Sequence, residues 1–186
     1  MKKLILISLM ALACLAPAQA SALTQPRAYT VLLAGGAEDS MIHIWLSSDG
    51  REYVIDSLVQ LEVGGNICSH PEGMPNELVC QAPQIAGFEV NVGAGEDRVT
   101  VAKNVSIPVT MRGGPGDDVL VGGAGPDELN GGPGDDRLYG WRGADFFFGG
   151  PGEDVILGGP GSDSLNGGPG ADTLAGGAGK NTIRKP

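Results

Sequence analysis

The chain has 186 residues, with 22 Asp and Glu against 12 Lys and Arg and a formal net charge of −10. That acidity disfavours nucleic acid and anionic membranes as partners and suits the binding of cations. The other bias is 32 Gly, concentrated in a strictly periodic C-terminal stretch.

Residues 1–20 read as a secretory signal. Lys2 and Lys3 form the charged start, residues 4–15 the apolar run, and Ala18-Gln19-Ala20 the small-residue cleavage site. The mature chain then starts at Ser21, and loss of Lys2 and Lys3 takes the net charge from −10 to −12. The apolar run is too short to span a bilayer. Cys14 raises a lipoprotein reading, against which Ala11 stands where a lipobox usually has Leu. The expected location is secreted or extracellular, with retention in a periplasm or at a cell surface left open.

The region 21–111 shows no helical periodicity from residue 28 onward. It shows alternation of the kind a strand with one buried face requires: Tyr29, Val31, Leu33; Ile42, Ile44, Leu46; Tyr53, Ile55; Val90, Val92; Val99, Val101; Val105, Ile107, Val109. Ser48-Asp49-Gly50 is a turn signal between two of these runs. Cys68 and Cys80 are the only cysteines after the signal, and export permits them a disulfide, with two free thiols as the alternative. His43 reads as a half-exposed strand residue and His70 as a surface residue of the cysteine loop.

Residues 113–184 are eight nine-residue units without insertion or deletion. Positions 1 and 4 are Gly in all eight, and position 2 is Gly in all but the unit with Trp141. Position 6 is Asp in seven units and Asn181 in the eighth; position 8 is always apolar, from Leu120 to Ile183. Gly at these positions marks a turn that needs positive φ or close approach. One inward apolar residue between two variable ones marks a three-residue strand. A period this short predicts a solenoid whose units stack on one another.

The units resemble the G-G-x-G-x-D-x-U-x nonapeptide of the RTX family, the haemolysin-type calcium-binding repeats. The resemblance implies an all-β, parallel β-roll over residues 112–186, with 21–111 as an irregular β extension or N-terminal cap. It further implies calcium ions, up to about six, between each turn and the turn two units on. The implied ligands are the carboxylates of Asp118, Asp127, Asp136, Asp145, Asp154, Asp163 and Asp172, the side chain of Asn181, and backbone oxygens of the turns. Those turn residues are Gly113 and Pro115, Gly122 and Ala124, then Gly131, Gly132, Pro133 and Gly134. They continue with Gly140 and Gly143, with Gly149, Gly150 and Gly152, with Gly158, Gly159 and Gly161, and with Gly168 and Gly170. The chemistry agrees independently. Ca²⁺ takes oxygen ligands, and this stretch offers Asp and bare carbonyls with no Cys or His, which argues against zinc or copper.

The 18-residue return that the resemblance implies gives two unequal columns of turns. Asp118, Asp136, Asp154 and Asp172 form an intact one. Asp127, Asp145, Asp163 and Asn181 form the other, interrupted by Trp141 and Arg142; Arg142 either occupies a calcium position or points outward. Asn181, Lys180, Arg184 and Lys185 read as a C-terminal cap. Stacked carboxylates about 5 Å apart repel by roughly 3 kcal/mol at an effective dielectric near 20. The core offers one dependable inward side chain per unit, so the array is expected to fold only with calcium.

Gly93 to Val99 and Gly35 to Asp39 echo the repeat, so the roll either begins upstream of residue 112 or abuts a separate small β domain. Trp141, Phe146, Phe147 and Phe148 form one aromatic cluster. Phe147 should face inward, with Phe146 and Phe148 outward beside Tyr139, as a bulky strand surface or as a docking patch for a protein or glycan partner. No H-E-x-x-H or G-x-S-x-G occurs, and His43 and His70 are the only histidines, so no enzyme is expected. An adhesive protein using the roll as a scaffold is the alternative, and a hydrolase fragment is the reading set last.

Overall fold

The computed structural model describes residues 29–57 and 68–185, so the signal-like segment lies outside the described residues. Among the described residues the chain is all-β apart from one 3-10 turn at Ala82–Gln84. Upstream of the array run β1 (Tyr29–Ala34), β2 (Met41–Leu46), β3 (Glu52–Ser57), β4 (Cys68–Ser69), β5 (Glu77–Gln81), β6 (Ile85–Asn91), β7 (Arg98–Val101) and β8 (Val109–Arg112). The array supplies eight three-residue strands: β9 (Val119–Val121), β10 (Glu128–Asn130), β11 (Arg137–Tyr139), β12 (Phe146–Phe148), β13 (Val155–Leu157), β14 (Ser164–Asn166), β15 (Thr173–Ala175) and β16 (Thr182–Arg184).

Successive array strands alternate between two parallel sheets. One sheet runs β1-β6-β8-β10-β12-β14-β16. The other runs β15-β13-β11-β9-β7-β2-β3-β5-β4. Strands two units apart pair in register, as Leu129 with Phe147 and Leu138 with Ile156. The upstream strands thus continue the same two sheets, and β6 pairs with β8 as β8 pairs with β10. At the far end of the second sheet the chain turns antiparallel. The β2–β3 hairpin carries Ser47 and Gly50 in its turn, and β3 pairs with β5. Cys68 and Cys80 face each other across β4 and β5 and are disulfide-bonded.

The core is a single cluster threaded between the sheets. Ile42, Val99, Leu120, Leu138 and Ile156 stack along one, and Val90, Met111, Leu129, Phe147 and Leu165 along the other, all buried. Phe88 packs edge-on against Tyr53, with ring centroids 5.2 Å apart. At about 1.5–3 kcal/mol per buried aliphatic side chain, one per turn-and-strand unit, this is a thin core.

Three expectations need correction. Val105 and Ile107 lie in the loop between β7 and β8 and not in a strand, although Val105 is fully buried. Tyr139 is on the opposite sheet from Phe146 and Phe148, because neighbouring strands in sequence fall on different sheets. The aromatic group is therefore split between two faces. The inward position also fails at the C-terminal end: Leu174 is only partly buried and Ile183 is 47 % exposed, since no further turn covers them.

Candidate metal centre

The turns stack in two columns. The first holds the turns at residues 113–118, 131–136, 149–154 and 167–172, each carrying the chain from the first sheet to the second. The second holds those at 122–127, 140–145, 158–163 and 176–181.

The position 6 carboxylates form the spine of each column. The backbone N–H of Asp118 donates to Oδ1 of Asp136 at 2.8 Å, that of Asp136 to Asp154 at 2.9 Å, and that of Asp154 to Asp172 at 3.1 Å. In the second column Asp127 donates to Asp145, Asp145 to Asp163, and Asp163 to Oδ1 of Asn181. One oxygen of each carboxylate is thereby used. The other, Oδ2 of Asp118, Asp136, Asp145, Asp154, Asp163 and Asp172, is buried with no hydrogen-bond partner among the described residues. Leaving so many buried carboxylate oxygens unpaired is costly, on the order of several kcal/mol for each one that stays charged.

Each orphaned oxygen points across the inside of its own turn. A Cβ added at Gly131 would strike Oδ2 of Asp136, and one at Gly149 would strike Oδ2 of Asp154. The same holds for Gly140 with Asp145, Gly158 with Asp163, and Gly113 with Asp118. Position 2 glycines in the first column adopt φ of 94° to 120°, as at Gly132 (117°). There a Cβ would collide with the carbonyl of Gly114, and at Gly134 with that of Gly116. The backbone of one turn thus lies against the carbonyls of the turn before it, as it does at Gly150, Gly152, Gly159, Gly161, Gly168 and Gly170.

In the first column the position 2 and position 4 amides from Gly114 to Gly152 are satisfied, and part of the carbonyl set is not. Gly114 N–H donates to Gly131 O at 2.8 Å, Gly116 to Pro133 O at 2.9 Å, and Gly132 to Gly149 O at 2.9 Å. Gly113 and Pro115 accept likewise from Gly93 and Gly95, each at 3.1 Å. The carbonyls of Gly132, Gly134, Gly150 and Gly152 accept no backbone hydrogen bond among the described residues. The gaps that these first-column turns line therefore carry free oxygens from two kinds of donor. No group of three or more His, Cys, Asp and Glu side chains gathers among the described residues. A shell of six to eight oxygens would have to draw on those carbonyls. Orphaned carboxylate oxygens, free carbonyls and glycines that leave no room for a Cβ fit a hard divalent cation.

Burial dominates the electrostatics. It pushes Asp136 up to about 7 from the usual 3.8, opposed by the Asp118 N–H it accepts and reinforced by the charges of Asp118, Asp154 and Asp117. Burial likewise raises Asp118, Asp145 and Asp154 to about 6 and Asp127 to about 7. Burial thus favours the protonated form of each of these carboxylates.

The columns are unequal, for a reason the sequence only half reveals. Asp127 spends both oxygens on protein: Oδ1 accepts from Val109 N–H at 2.9 Å and Oδ2 from Gly123 N–H at 2.7 Å. Gly123 stands outside the left-handed region its counterparts occupy. Above it sits the loop 102–108, where Ala124 N–H donates to Val105 O at 2.7 Å. The top of the second column is therefore capped by protein. Trp141 takes φ 69° in place of a glycine and is exposed, with the Lys103 ammonium 3.4 Å from its ring centre. Arg142 points outward. Asn181 joins the ladder, and its Nδ2 donates to Gly177 O at 3.0 Å, which fits a terminal cap.

A second, exposed ladder escaped the sequence reading. Asp135 N–H donates to Oδ1 of Asp117 at 2.9 Å, Glu153 N–H to Asp135 at 2.7 Å, and Glu96 N–H to Asp39 at 3.0 Å. These are position 5 residues of the first column alone. The other column has Pro126, Ala144, Ser162 and Lys180 there. The signal was legible as an 18-residue period at position 5. His43 and His70 are exposed, His43 beside Trp45 and His70 hydrogen-bonded to Glu77 O at 2.8 Å.

Residues 112–147 and 148–183 each match the family model of the RTX calcium-binding nonapeptide repeat, four copies. No curated protein and no solved structure matches the chain.

Proposed function

We propose that this chain, an RTX calcium-binding repeat protein, is a secreted, non-catalytic module whose β-roll folds when calcium binds between its turns. One observation carries the reading: buried Oδ2 atoms lie unpartnered, turn after turn, inside loops lined by free carbonyls. Bound calcium supplies the positive charge that offsets stacked carboxylates and the oxygen contacts those atoms lack. The chain's own part is to hold the donors in place. The Oδ1 ladder keeps each carboxylate aimed inward, and the parallel sheets keep the turns in register.

Within the array, both flanking carboxylates have a free oxygen in the gaps between Asp118 and Asp136, Asp136 and Asp154, Asp154 and Asp172, and Asp145 and Asp163. These four gaps fill first. The gap between Asp127 and Asp145 has one free carboxylate oxygen, and the terminal gap ends on an amide, so both bind more weakly. Secretion is supported by the signal-like pattern of residues 1–20 and by the disulfide Cys68–Cys80, which suits an oxidising compartment. No helix among the described residues is long and apolar enough to cross a membrane.

Circular dichroism of residues 21–186 in EGTA and then in excess calcium tests the reading. The expected result is a coil-dominated spectrum that converts to strand on adding calcium. A strand spectrum indifferent to calcium overturns it.

A second reading, an adhesive protein using the ordered roll as scaffold, is favoured by Phe146 and Phe148, exposed on neighbouring positions of one sheet face at 53 % and 37 %. Replacing both by Ser should weaken surface or partner association without changing calcium stoichiometry. Unchanged association removes this reading.

A further inference from the structure

Resting on the calcium reading above, we propose one more calcium site outside the matched repeats, between the turn at residues 92–97 and the first array turn at 113–118, with Asp97 and Asp118 as its carboxylates. The return between these two aspartates takes 21 residues and not 18, because the loop after β7 is longer than an array turn. Sequence periodicity therefore breaks here while the three-dimensional repeat does not.

The spine hydrogen bond, the amide-to-carbonyl bonds and the close carbonyl approaches of an array gap all recur. Asp97 N–H donates to Oδ1 of Asp118 at 2.8 Å, the same bond and length as Asp118 to Asp136. Asp97 is 2 % exposed, and its Oδ2 is buried with no partner. Gly93 N–H donates to Gly113 O and Gly95 N–H to Pro115 O, as Gly114 and Gly116 do one turn later. Gly93 and Gly95 have φ of 101° and 135°. A Cβ at Gly114 would collide with the Gly93 carbonyl, and one at Gly116 with the Gly95 carbonyl. The donor set is thus two carboxylates and the carbonyls of Gly93 and Gly95. It suits a hard divalent cation as well as the array gaps do. The one departure is Val92 at position 1, fully buried in the core, and Asp97 Oδ2 remains unpartnered beside it.

The column stops one turn further up. In the turn at residues 35–40 the spine position is Ser40, not Asp39; its N–H donates to Oδ1 of Asp97 and its hydroxyl to Glu38 O. The Gly36 carbonyl is taken by Ala94 N–H at 3.1 Å. That gap has one spine carboxylate, Asp97, and a spent carbonyl. One gap is therefore added to the first column, and the 35–40 turn closes it.

The test is ion counting by native mass spectrometry and calorimetry on residues 21–186, wild type against Asp97→Asn. The amide keeps the acceptor for Ser40 N–H, so the ladder stands. The expected result is one calcium fewer in D97N, with the calcium-saturated strand spectrum unchanged. An equal count overturns the proposal while leaving the array reading intact. A wild type that binds no calcium overturns the array reading itself. Should D97N fail to fold, anomalous diffraction from calcium-grown wild-type crystals decides: a peak between residues 93–97 and 113–118 supports the site, and an empty gap beside filled array gaps refutes it.

Discussion

Asp136→Asn should change sign with the medium. Asp136 accepts Asp118 N–H through Oδ1 and gives its own N–H to Asp154, so the amide keeps the ladder while removing one charge from two gaps. Without calcium, that charge faces a carboxylate on each side. Each repulsion is about 3 kcal/mol at roughly 5 Å and an effective dielectric near 20. Burial already pushes Asp136 up to about 7, so partial protonation reduces the relief to about 1–3 kcal/mol near neutral pH. With calcium, two gaps each lose a charged ligand. A tenfold loss of affinity in each costs about 1.4 kcal/mol per gap. Asp127→Asn is the contrast. Its Oδ2 accepts Gly123 N–H, and replacing that acceptor by an NH₂ costs about 1–3 kcal/mol in either medium. The assay is strand signal at pH 7.5, titrated with a stabilising osmolyte in EGTA and separately with calcium. D136N should need less osmolyte and more calcium than wild type. D127N should need more osmolyte, with a smaller shift in calcium midpoint. If D136N shifts both midpoints in the destabilising direction, its carboxylate is only a structural acceptor and the reasoning fails.

In EGTA the roll should gain strand signal on acidification. The folded state holds Asp118, Asp145 and Asp154 at about 6 and Asp127 and Asp136 at about 7, above 3.8, so it binds protons the unfolded chain releases. That contribution is fully present below about pH 4 and is lost as pH rises through 6 to 7; a weaker strand signal at pH 4.5 than at 7.5 contradicts it. Gly132→Ala places a Cβ against the Gly114 carbonyl at φ 117°, and should cost on the order of 2–4 kcal/mol in calcium-saturated urea melts. Gly50→Ala, at φ 72° with open space around it, should cost about 1 kcal/mol, and equal effects would show that the inter-turn contact is unimportant. Cys68→Ser with Cys80→Ser releases a loop of separation 12 and should remove about 3 kcal/mol from the N-terminal part, seen as a lower Tm. The calcium count should stay the same, and a loss of ions would tie that hairpin to the site.

The array was legible because its physics is local. A six-residue turn that tolerates only Gly at three places, followed by one inward side chain, can be read at Gly131, Gly132, Gly134 and Leu138 without knowing what lies beside them. The ligand type was legible too, since stacked Asp with no Cys or His leaves few metals to choose from. Asp97 was visible as an echo but could not be placed, because the residues that return the chain to the same side form a loop of unrelated composition. Leu78, Phe88 and Met111 gave no clean alternation, yet all three are buried.

The amino-acid order by itself determined the repeat and the oxygen-only chemistry of its turns, for these depend on backbone conformation and side-chain period within nine residues. Only the tertiary structure decided which carboxylates have an oxygen to spare. Asp127 and Asp145 occupy the same repeat position. Yet the Gly123 N–H, four residues back in the same turn, takes up Oδ2 of Asp127, while Oδ2 of Asp145 is left unpaired. That bond goes with a turn whose Gly123 lies outside the left-handed region of its counterparts and whose Ala124 N–H is held by Val105 O of the loop 102–108, and neither is visible in the nine-residue period.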